Sequence, residues 1–319
     1  MSEPIVKVRD LQTWFPVKAG LLGRTKHYIK AVDKVTLEVN PGEIVALVGE
    51  SGCGKSTLGN SLAGLLPIRG GEMFFRGNPA LRKNRLQREV FHNKVQVIFQ
   101  DPYSCLNPKH TVYEILSFPL LYHKICNPKE VRDYIASLLK QVGMPAECMD
   151  RYPHSFSGGQ RQRISIARAI GMKPDLIICD EIVSSLDVSI QAQIVELLLE
   201  LRSNLGLALL FIAHDLSLVR TLSDKLYVMY LGKIVESGNT SEILSSPQHP
   251  YTRALVRSVP TLDRSRPPVI LEGEVPSFSN MPKGCSFQNR CPNFTEKCLE
   301  EPDIFQAEER EFRCFHPVK

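Results

Sequence analysis

The octapeptide Gly49–Ser56, GESGCGKS, narrows what this chain can become more than any other feature. It fits the phosphate-loop pattern GxxxxGK followed by Ser or Thr. The apolar run Ile44–Val48 precedes it and reads as a buried strand, and Lys55–Leu66 follows it and reads as a helix. Strand, glycine-rich loop and helix in that order form the setting in which the pattern has physical meaning. Gly49, Gly52 and Gly54 carry no Cβ, so the backbone can wrap closely round a phosphate. The stretch that includes Ser51, Cys53 and Thr57 then presents its amides at a helix N-terminus, where the helix dipole favours an anion. Lys55 places a positive charge at the β/γ-phosphates of a nucleotide, and the Ser56 hydroxyl can ligate Mg²⁺.

Three more elements follow in an order that suits phosphoryl transfer to water, which needs charge neutralisation, an in-line water and a group to orient it. Leu176–Glu181, LIICDE, is an apolar strand ending in two carboxylates. Asp180 can hold Mg²⁺ through its outer shell. Glu181, next along an extended backbone, points differently and can face the attacking water as general base. His214 ends the apolar run Leu209–Ile212, where a neutral imidazole can hydrogen-bond the γ-phosphate and position Glu181. Ser157, Gly158 and Gly159 form a glycine-rich turn before a helix starting near Gln160, and the turn's amides and hydroxyl suit a phosphate. The ordinary alternatives are a helix cap for the carboxylate pair and a structural role for a lone strand-end His. Both lose ground beside a phosphate loop.

The ordered set, with the stretches Phe99–Pro108 (FQDPYSCLNP), Arg151–Arg163 (RYPHSFSGGQRQR), Cys179–Gln193 (CDEIVSSLDVSIQAQ) and His249–Thr252 (HPYT), resembles the ATP-binding subunit of an ABC transporter. Within that family it looks most like the second ATPase subunit of dipeptide/oligopeptide importers, from about Val6 to the end of the chain. The resemblance implies a P-loop NTPase fold of the ABC type: a mostly parallel α/β sheet, an inserted helical subdomain carrying Ser157–Gln160, and a small irregular Cys-rich C-terminal region. It makes Gln100 the residue that touches Mg²⁺ and water and senses the transmembrane subunits. It sets Ser157–Gln160 against ATP held by an opposite subunit, and Asp187 in the loop that communicates between the two sites. The implied partners are a second, non-identical ABC ATPase subunit, two transmembrane permease subunits and an extracytoplasmic solute-binding protein, with the chain peripheral at the cytoplasmic face of the inner membrane. Phe156 stands where many relatives have Leu, Ile182 where Pro is usual and Ser185 where Ala is usual; none of the three removes a catalytic group. Adenine normally stacks on an aromatic residue upstream of the loop. Tyr28 is the candidate, with ordinary packing as the alternative, whereas Trp14 and Phe15 read as core or sheet-edge residues.

The 319 residues are 43% hydrophobic and 23% charged, with a net charge of +5. This is an ordinary globular composition with no clustered basic stripe of the kind nucleic acid requires. Arg82–Arg88 reads as a solvated face at a helix start. Met1–Phe15 lacks the apolar core of a secretory signal, and the longest apolar run, Leu205–Ala213, is far short of the roughly 20 residues that span a bilayer. Strand-like runs at Ile44–Val48, Val95–Phe99, Leu176–Cys179 and Leu209–Ile212 alternate with helices, the pattern of a sheet covered on both faces. Between residues 101 and 172 the pattern turns mostly helical, with breaks at Pro102, Pro108, Pro119, Pro128 and Pro145, and Leu226–Glu236 reads as a hairpin turning at Gly232. We expect a nucleotide-binding domain over 1–246 and a Cys-rich region over 247–319, in which Pro260, Pro267, Pro268, Pro276 and Pro282 argue for irregular structure. Of nine cysteines, Cys285, Cys291, Cys298 and Cys314 crowd the end. Four thiolates can bind a 4Fe-4S cluster or Zn²⁺, or remain free or partly oxidised. The spacing lacks the paired knuckles of structural zinc, and the resemblance extends to importer ATPases of which some carry a 4Fe-4S cluster.

Three functions are open to such a chain: an ATP-hydrolysing motor of a membrane importer of dipeptides, oligopeptides or a similar solute, the leading one; a soluble ABC-type ATPase acting on nucleic acid or ribosomes; and a regulatory iron–sulfur protein. The second generally needs two cassettes or a long coiled-coil insertion, and this chain has neither.

Overall fold

The computed structural model describes residues 3–19, 24–80, 85–184, 186–259, 273–307 and 309–318. Arg82, Ser185, Pro260, Pro267 and Pro268 lie outside them.

The strands are β1 (Val6–Ala19), β2 (Arg24–Val39), β3 (Ile44–Val48), β4 (Gly70–Phe75), β5 (Asn78–Pro79), β6 (Val95–Ile98), β7 (Leu176–Asp180), β8 (Ala208–Ala213), β9 (Lys225–Tyr230), β10 (Lys233–Asn239), β11 (Phe305–Ala307) and β12 (Arg310–Phe312). They form a four-stranded sheet, β2-β1-β4-β5, and an eight-stranded sheet, β11-β12-β10-β9-β3-β8-β7-β6. In the larger sheet β9, β3, β8, β7 and β6 run parallel. These central strands read as unbroken apolar runs because both faces are covered. On β3 the side chains divide by alternation: Ile44, Ala46 and Val48 join the core cluster on one face, Val45 and Leu47 the cluster on the other. The same split separates Leu209 and Phe211 from Leu210 and Ile212 on β8. Each such fully buried aliphatic side chain contributes about 1.5–3 kcal/mol.

The helices are α1 (Lys55–Leu62), α2 (Arg85–Lys94), α3 (Pro102–Cys105), α4 (Val112–Tyr122), α5 (Val131–Gln141), α6 (Gly158–Gly171), α7 (Val188–Leu205), α8 (Leu216–Leu222), α9 (Thr240–Ser245) and α10 (Pro250–Ser258). Helix α1 stops four residues before the Leu66 that periodicity implied, since Gly64 takes φ 72 and the chain turns away. Residues 102–171 are mostly helical. Pro119, expected to break that stretch, instead sits inside α4. The helix survives because the Thr111–Glu114 capping box fixes its start and Ile115, Leu116 and Leu120 are buried around the missing N–H. The 225–239 segment is the expected hairpin, turning through Leu231 and Gly232.

Beyond residue 246 the described residues form only short elements, 3₁₀ turns at Phe278–Asn280, Gln288–Arg290 and Glu296–Leu299 among them, but they are not irregular throughout. Helix α10 is regular, and β12 pairs with β10 (Glu236 opposite Phe312), so the end of the chain extends the main sheet. Among the described residues no helix is long and apolar enough to cross a membrane.

Candidate active site

The parallel strands bring their C-terminal ends to one edge, and the motif residues sit on the loops that leave it. The phosphate loop links β3 to α1. Two of its glycines are required by the protein's own backbone. A Cβ on Gly49 would stand 2.2 Å from the Met229 carbonyl oxygen, and one on Gly54 2.2 Å from that of Ala31, at a φ of 109°. Around Gly52, by contrast, a Cβ would meet nothing within 4 Å, so the space on that side of the loop is open. Cys53 is buried, and burial pushes its thiol up. Thr57 and Ser51 complete the loop, with Ser51 exposed.

Lys55 is 4% exposed, and its ammonium donates to the carbonyls of Gly49 (2.8 Å) and Glu50 (3.1 Å). It also stands 3.8 Å from a carboxylate oxygen of Glu181. The Ser56 hydroxyl donates to Asp180 Oδ1 at 3.0 Å. Burial raises the Asp180 carboxyl above its ordinary range, the Ser56 hydrogen bond opposing this and the neighbouring Glu181 adding to it. A buried carboxylate beside a hydroxyl is chemically suited to Mg²⁺.

Glu181 is where the other predicted residues meet. Gln100 Nε2 donates to its Oε2 at 3.1 Å and to the Ser184 hydroxyl at 3.3 Å, and His214 Nδ1 lies 3.9 Å from the same Oε2. Lys55 approaches the other oxygen. Residues 81 and 33 positions away from Glu181 in sequence thus converge on one carboxylate. The expectation of an extended backbone at Glu181 is corrected: its φ is 48°, in the left-handed region. That conformation costs a non-glycine residue of order 1 kcal/mol or more, and it turns the carboxylate away from the direction that Asp180 takes. The Glu181 N–H bonds the Ile212 carbonyl on β8 at 3.1 Å, which holds the turn. Gln100 lies in the loop after β6, which ends at Ile98.

Ser157–Gln160 opens α6 with a reciprocal cap. The Ser157 hydroxyl accepts from Gln160 N at 3.4 Å, and Gln160 Oε1 accepts from Ser157 N at 3.1 Å. A Cβ on Gly159 would come 2.6 Å from Ile190 of α7, and one on Gly158 3.4 Å from Leu186, so these glycines seat the turn against the 186–190 segment. Ser157, Gln160 and Asp187 are exposed. Ile182 is fully buried, which accounts for an aliphatic residue after Glu181.

Tyr28 is half-buried on β2, with the Arg69 guanidinium stacked 3.8 Å from its ring centre and Trp14 at 6.3 Å. The reading of Trp14 and Phe15 as core is corrected. Trp14 is half-buried with Lys30 at 4.7 Å and Arg69 at 5.3 Å from its ring, and Phe15 is exposed. The sheet-edge alternative holds, since β4 pairs with β1 only from Val6 to Gln12 and beyond that point β1 has β2 alone beside it.

The four C-terminal cysteines gather in one place, close enough for their charges to act on one another. The His316 N–H donates to the Cys314 sulfur at 3.3 Å, and the Gln288 N–H donates to the Cys285 carbonyl at 3.2 Å. Burial raises the thiols of Cys285 and Cys291 and pushes that of Cys314 up to about 12. Among the described residues no three His, Cys, Asp or Glu side chains are grouped to hold a metal ion. His316 turns its Nε2 to the Thr295 hydroxyl, 2.7 Å away.

Sequence reasoning missed the residues that join this region to the phosphate loop. Arg290 pairs with Glu50, and Tyr251 accepts the Glu50 N–H. Only the presence of HPYT among the resembling stretches marked Tyr251.

Residues 32–184 match the ABC transporter family model, and residues 235–298 match that of the oligopeptide/dipeptide transporter C-terminal region. The chain therefore belongs to the ABC transporter ATPases, in the oligopeptide/dipeptide group that carries this C-terminal region. Its relatives include the dipeptide transport ATP-binding protein DppF of Haemophilus influenzae, 43% identical with 99% of this chain and 97% of the relative covered. The oligopeptide transport ATP-binding protein AppF of Bacillus subtilis is also 43% identical, over 99% and 98%. Among solved structures, cbiO1 of Clostridium perfringens superposes with a TM-score of 0.65 at 28% identity, covering 76% of this chain and 92% of its own. The ATP-binding cassette MJ0796, in a dimeric post-hydrolysis state with ADP and Pi, gives 0.64 at 26%, over 74% and 98%.

Proposed function

We propose that this chain is the ATP-hydrolysing motor subunit of a membrane importer that takes up dipeptides, oligopeptides or a similar small solute. The observation that carries the reading is the meeting of Lys55, Gln100 and His214 on Glu181, beside the Ser56–Asp180 pair. ATP would lie along Gly49–Thr57, with Lys55 leaving the loop carbonyls for the phosphates. Mg²⁺ held at Ser56, Gln100 and Asp180 would neutralise phosphate charge. Glu181 accepts the proton of the attacking water, while Gln100 and His214 fix the carboxylate and the water. Tyr28, with Trp14 and Arg69 beside it, is the place for the adenine ring.

The exposed Ser157–Gln160 turn and Asp187 support a site completed by a second ATPase subunit, read here as a non-identical one. The family implies two permease subunits and a solute-binding protein outside the membrane, with this chain peripheral on the cytoplasmic side. We divide the chain into a nucleotide-binding domain, 1–246, with its helical part at about 101–172, and a Cys-rich region, 247–319. The four thiols suit a 4Fe-4S cluster, whose separate irons each take one thiolate. Zinc is the alternative, and the spacing of the four lacks the paired knuckles of structural zinc sites. The His316 N–H directed at the Cys314 sulfur supports the cluster reading, since such hydrogen bonds tune Cys-bound clusters.

Solubilised membranes should yield the chain together with permease subunits, and vesicles of the complex should take up peptide only with ATP. Purification free of membrane proteins, with ATPase activity raised by nucleic acid, would replace this reading with a soluble ATPase. Anaerobic protein should contain iron and sulfide and absorb broadly near about 400 nm. Zinc without iron, or no metal, would reject the cluster.

A further inference from the structure

The phosphate loop does not stand alone. Its second residue, Glu50, is bound at three points. Its carboxylate accepts two hydrogen bonds from the Arg290 guanidinium, Nη1 at 2.6 Å and Nη2 at 3.0 Å. Its N–H donates to the Tyr251 hydroxyl at 2.8 Å. Its carbonyl accepts from Lys55 Nζ at 3.1 Å. Two of the three partners come from beyond residue 246. The Arg290 side chain is 4% exposed and Glu50's 22%, so the pair is shielded and two-pronged, the geometry in which an Arg–carboxylate bond is strongest and most directional.

The clamp is itself braced. Arg290 Nη1 also donates to the Tyr230 hydroxyl at 3.4 Å. The Tyr230 ring lies 4.6 Å from Tyr251, and both lie 5.3 Å from Phe287, which is buried. Arg290 closes a turn onto the Phe287 carbonyl at 3.0 Å. A packed aromatic cluster therefore fixes the guanidinium and the phenol, and these fix the Glu50 peptide. The carbonyl of that peptide holds the loop lysine.

We infer that Arg290 and Tyr251 are positioning residues for ATP binding: acting through Glu50, the Cys-rich C-terminal region sets the shape of the phosphate loop. Without the clamp, binding must order Gly49–Glu50 as well as capture the nucleotide, and affinity falls. Gln100, Glu181 and His214 stand on other strand ends and touch none of Glu50, Tyr251 and Arg290; Lys55, 3.8 Å from Glu181, is the link between them and keeps its bond to the Gly49 carbonyl, so the loss falls on affinity rather than on turnover at saturating ATP.

The inference rests on reading Gly49–Ser56 as the ATP site, and Lys55→Ala tests that reading separately. The experiment titrates ATP into the full chain and follows steady-state ATPase activity alongside. Arg290→Gln should weaken ATP binding and raise KM about tenfold, with kcat within about twofold of the parent. Glu50→Gln should weaken ATP binding by a similar factor. Combining the two should fall well short of the product of the single losses, because they break one interaction. Arg290→Lys, with one point charge in place of a fork, should recover part of the affinity. Tyr251→Phe keeps the ring and loses only the hydroxyl, and should cost about threefold; it serves if Arg290→Gln does not fold. ATP affinity unchanged in Arg290→Gln and Tyr251→Phe would overturn the inference. So would single losses that multiply, or kcat falling as far as affinity. If Lys55→Ala also leaves affinity unchanged, the ATP-site reading itself fails. If Lys55→Ala alone abolishes binding, only the clamp is wrong.

Discussion

The ATP site and the Cys-rich region are built by opposite means. The site sits on loops at the ends of parallel strands buried on both faces, and its residues are positioned by backbone. Glu181 is set by a left-handed turn bonded to Ile212, and Ser157 by its own helix cap. Among its described residues the Cys-rich region has one regular helix and two three-residue strands. Apart from the short β10–β12 pairing, it is positioned by side chains: the Glu50–Arg290 pair, the Tyr230–Tyr251–Phe287 cluster, and Glu236, which accepts the N–H groups of Gln248 and His249 at 2.7 and 2.9 Å. A scaffold of the first kind tolerates changes between its motifs. One of the second kind fails when a single ring or charge is removed.

That contrast can be broken or sharpened by experiment. The largest effect is expected at the scaffolded site. Glu181→Gln should lower kcat by roughly 10²–10⁴-fold with ATP affinity retained, because the amide cannot take the water's proton. Turnover like that of the parent would mean that the carboxylate on which Lys55, Gln100 and His214 converge is not the base.

Phe287→Ala should cost about 3–5 kcal/mol locally. Hydrogen exchange should then accelerate over 273–318 while β3, β7 and β8 stay protected. Uniform acceleration would show that the two regions unfold as one and that the contrast is false.

The smallest effect concerns acid. His249 is fully buried, its Nδ1 accepts the Tyr251 N–H at 3.1 Å, and burial lowers its pKa to about 3. The unfolded chain takes up this proton first, near the ordinary value of about 6.5. The stability it gives is therefore complete above that pH and is lost as pH falls toward 3, by up to about 1.4 kcal/mol per unit. Buried Glu236, whose carboxyl is raised by burial, works the other way, favouring the folded form as pH falls. Between pH 6.5 and 5 the melting temperature of the parent should drop faster than that of His249→Asn, in which an amide oxygen can still cap α10. Parallel slopes would clear His249.

Much of this molecule is legible in its sequence, for a local reason. Unbroken apolar runs mark strands covered on both faces, and each chemical motif lies within a few residues of such a run. The parallel strands deliver those ends to a common edge without further instruction. Ile44–Val48, Leu176–Asp180 and the hairpin at Gly232 could thus be read directly, as could the family to which the chain belongs. Where local rules were read too literally, tertiary contacts decided. Pro119 stays helical because its neighbours are buried, and Trp14 is drawn to two cations rather than into the core. The left-handed turn at Glu181 has no signal in a residue type that seldom adopts it. The bond between Glu50 and Arg290 spans 240 positions, and no periodicity or spacing announces a contact between two charged residues so far apart. Residue types and short-range order gave this chain its chemistry. Only the folded packing of its last residues against the phosphate loop tied that chemistry to the end of the chain, because long-range side-chain pairing exists only once the sheet has brought both partners to the same edge.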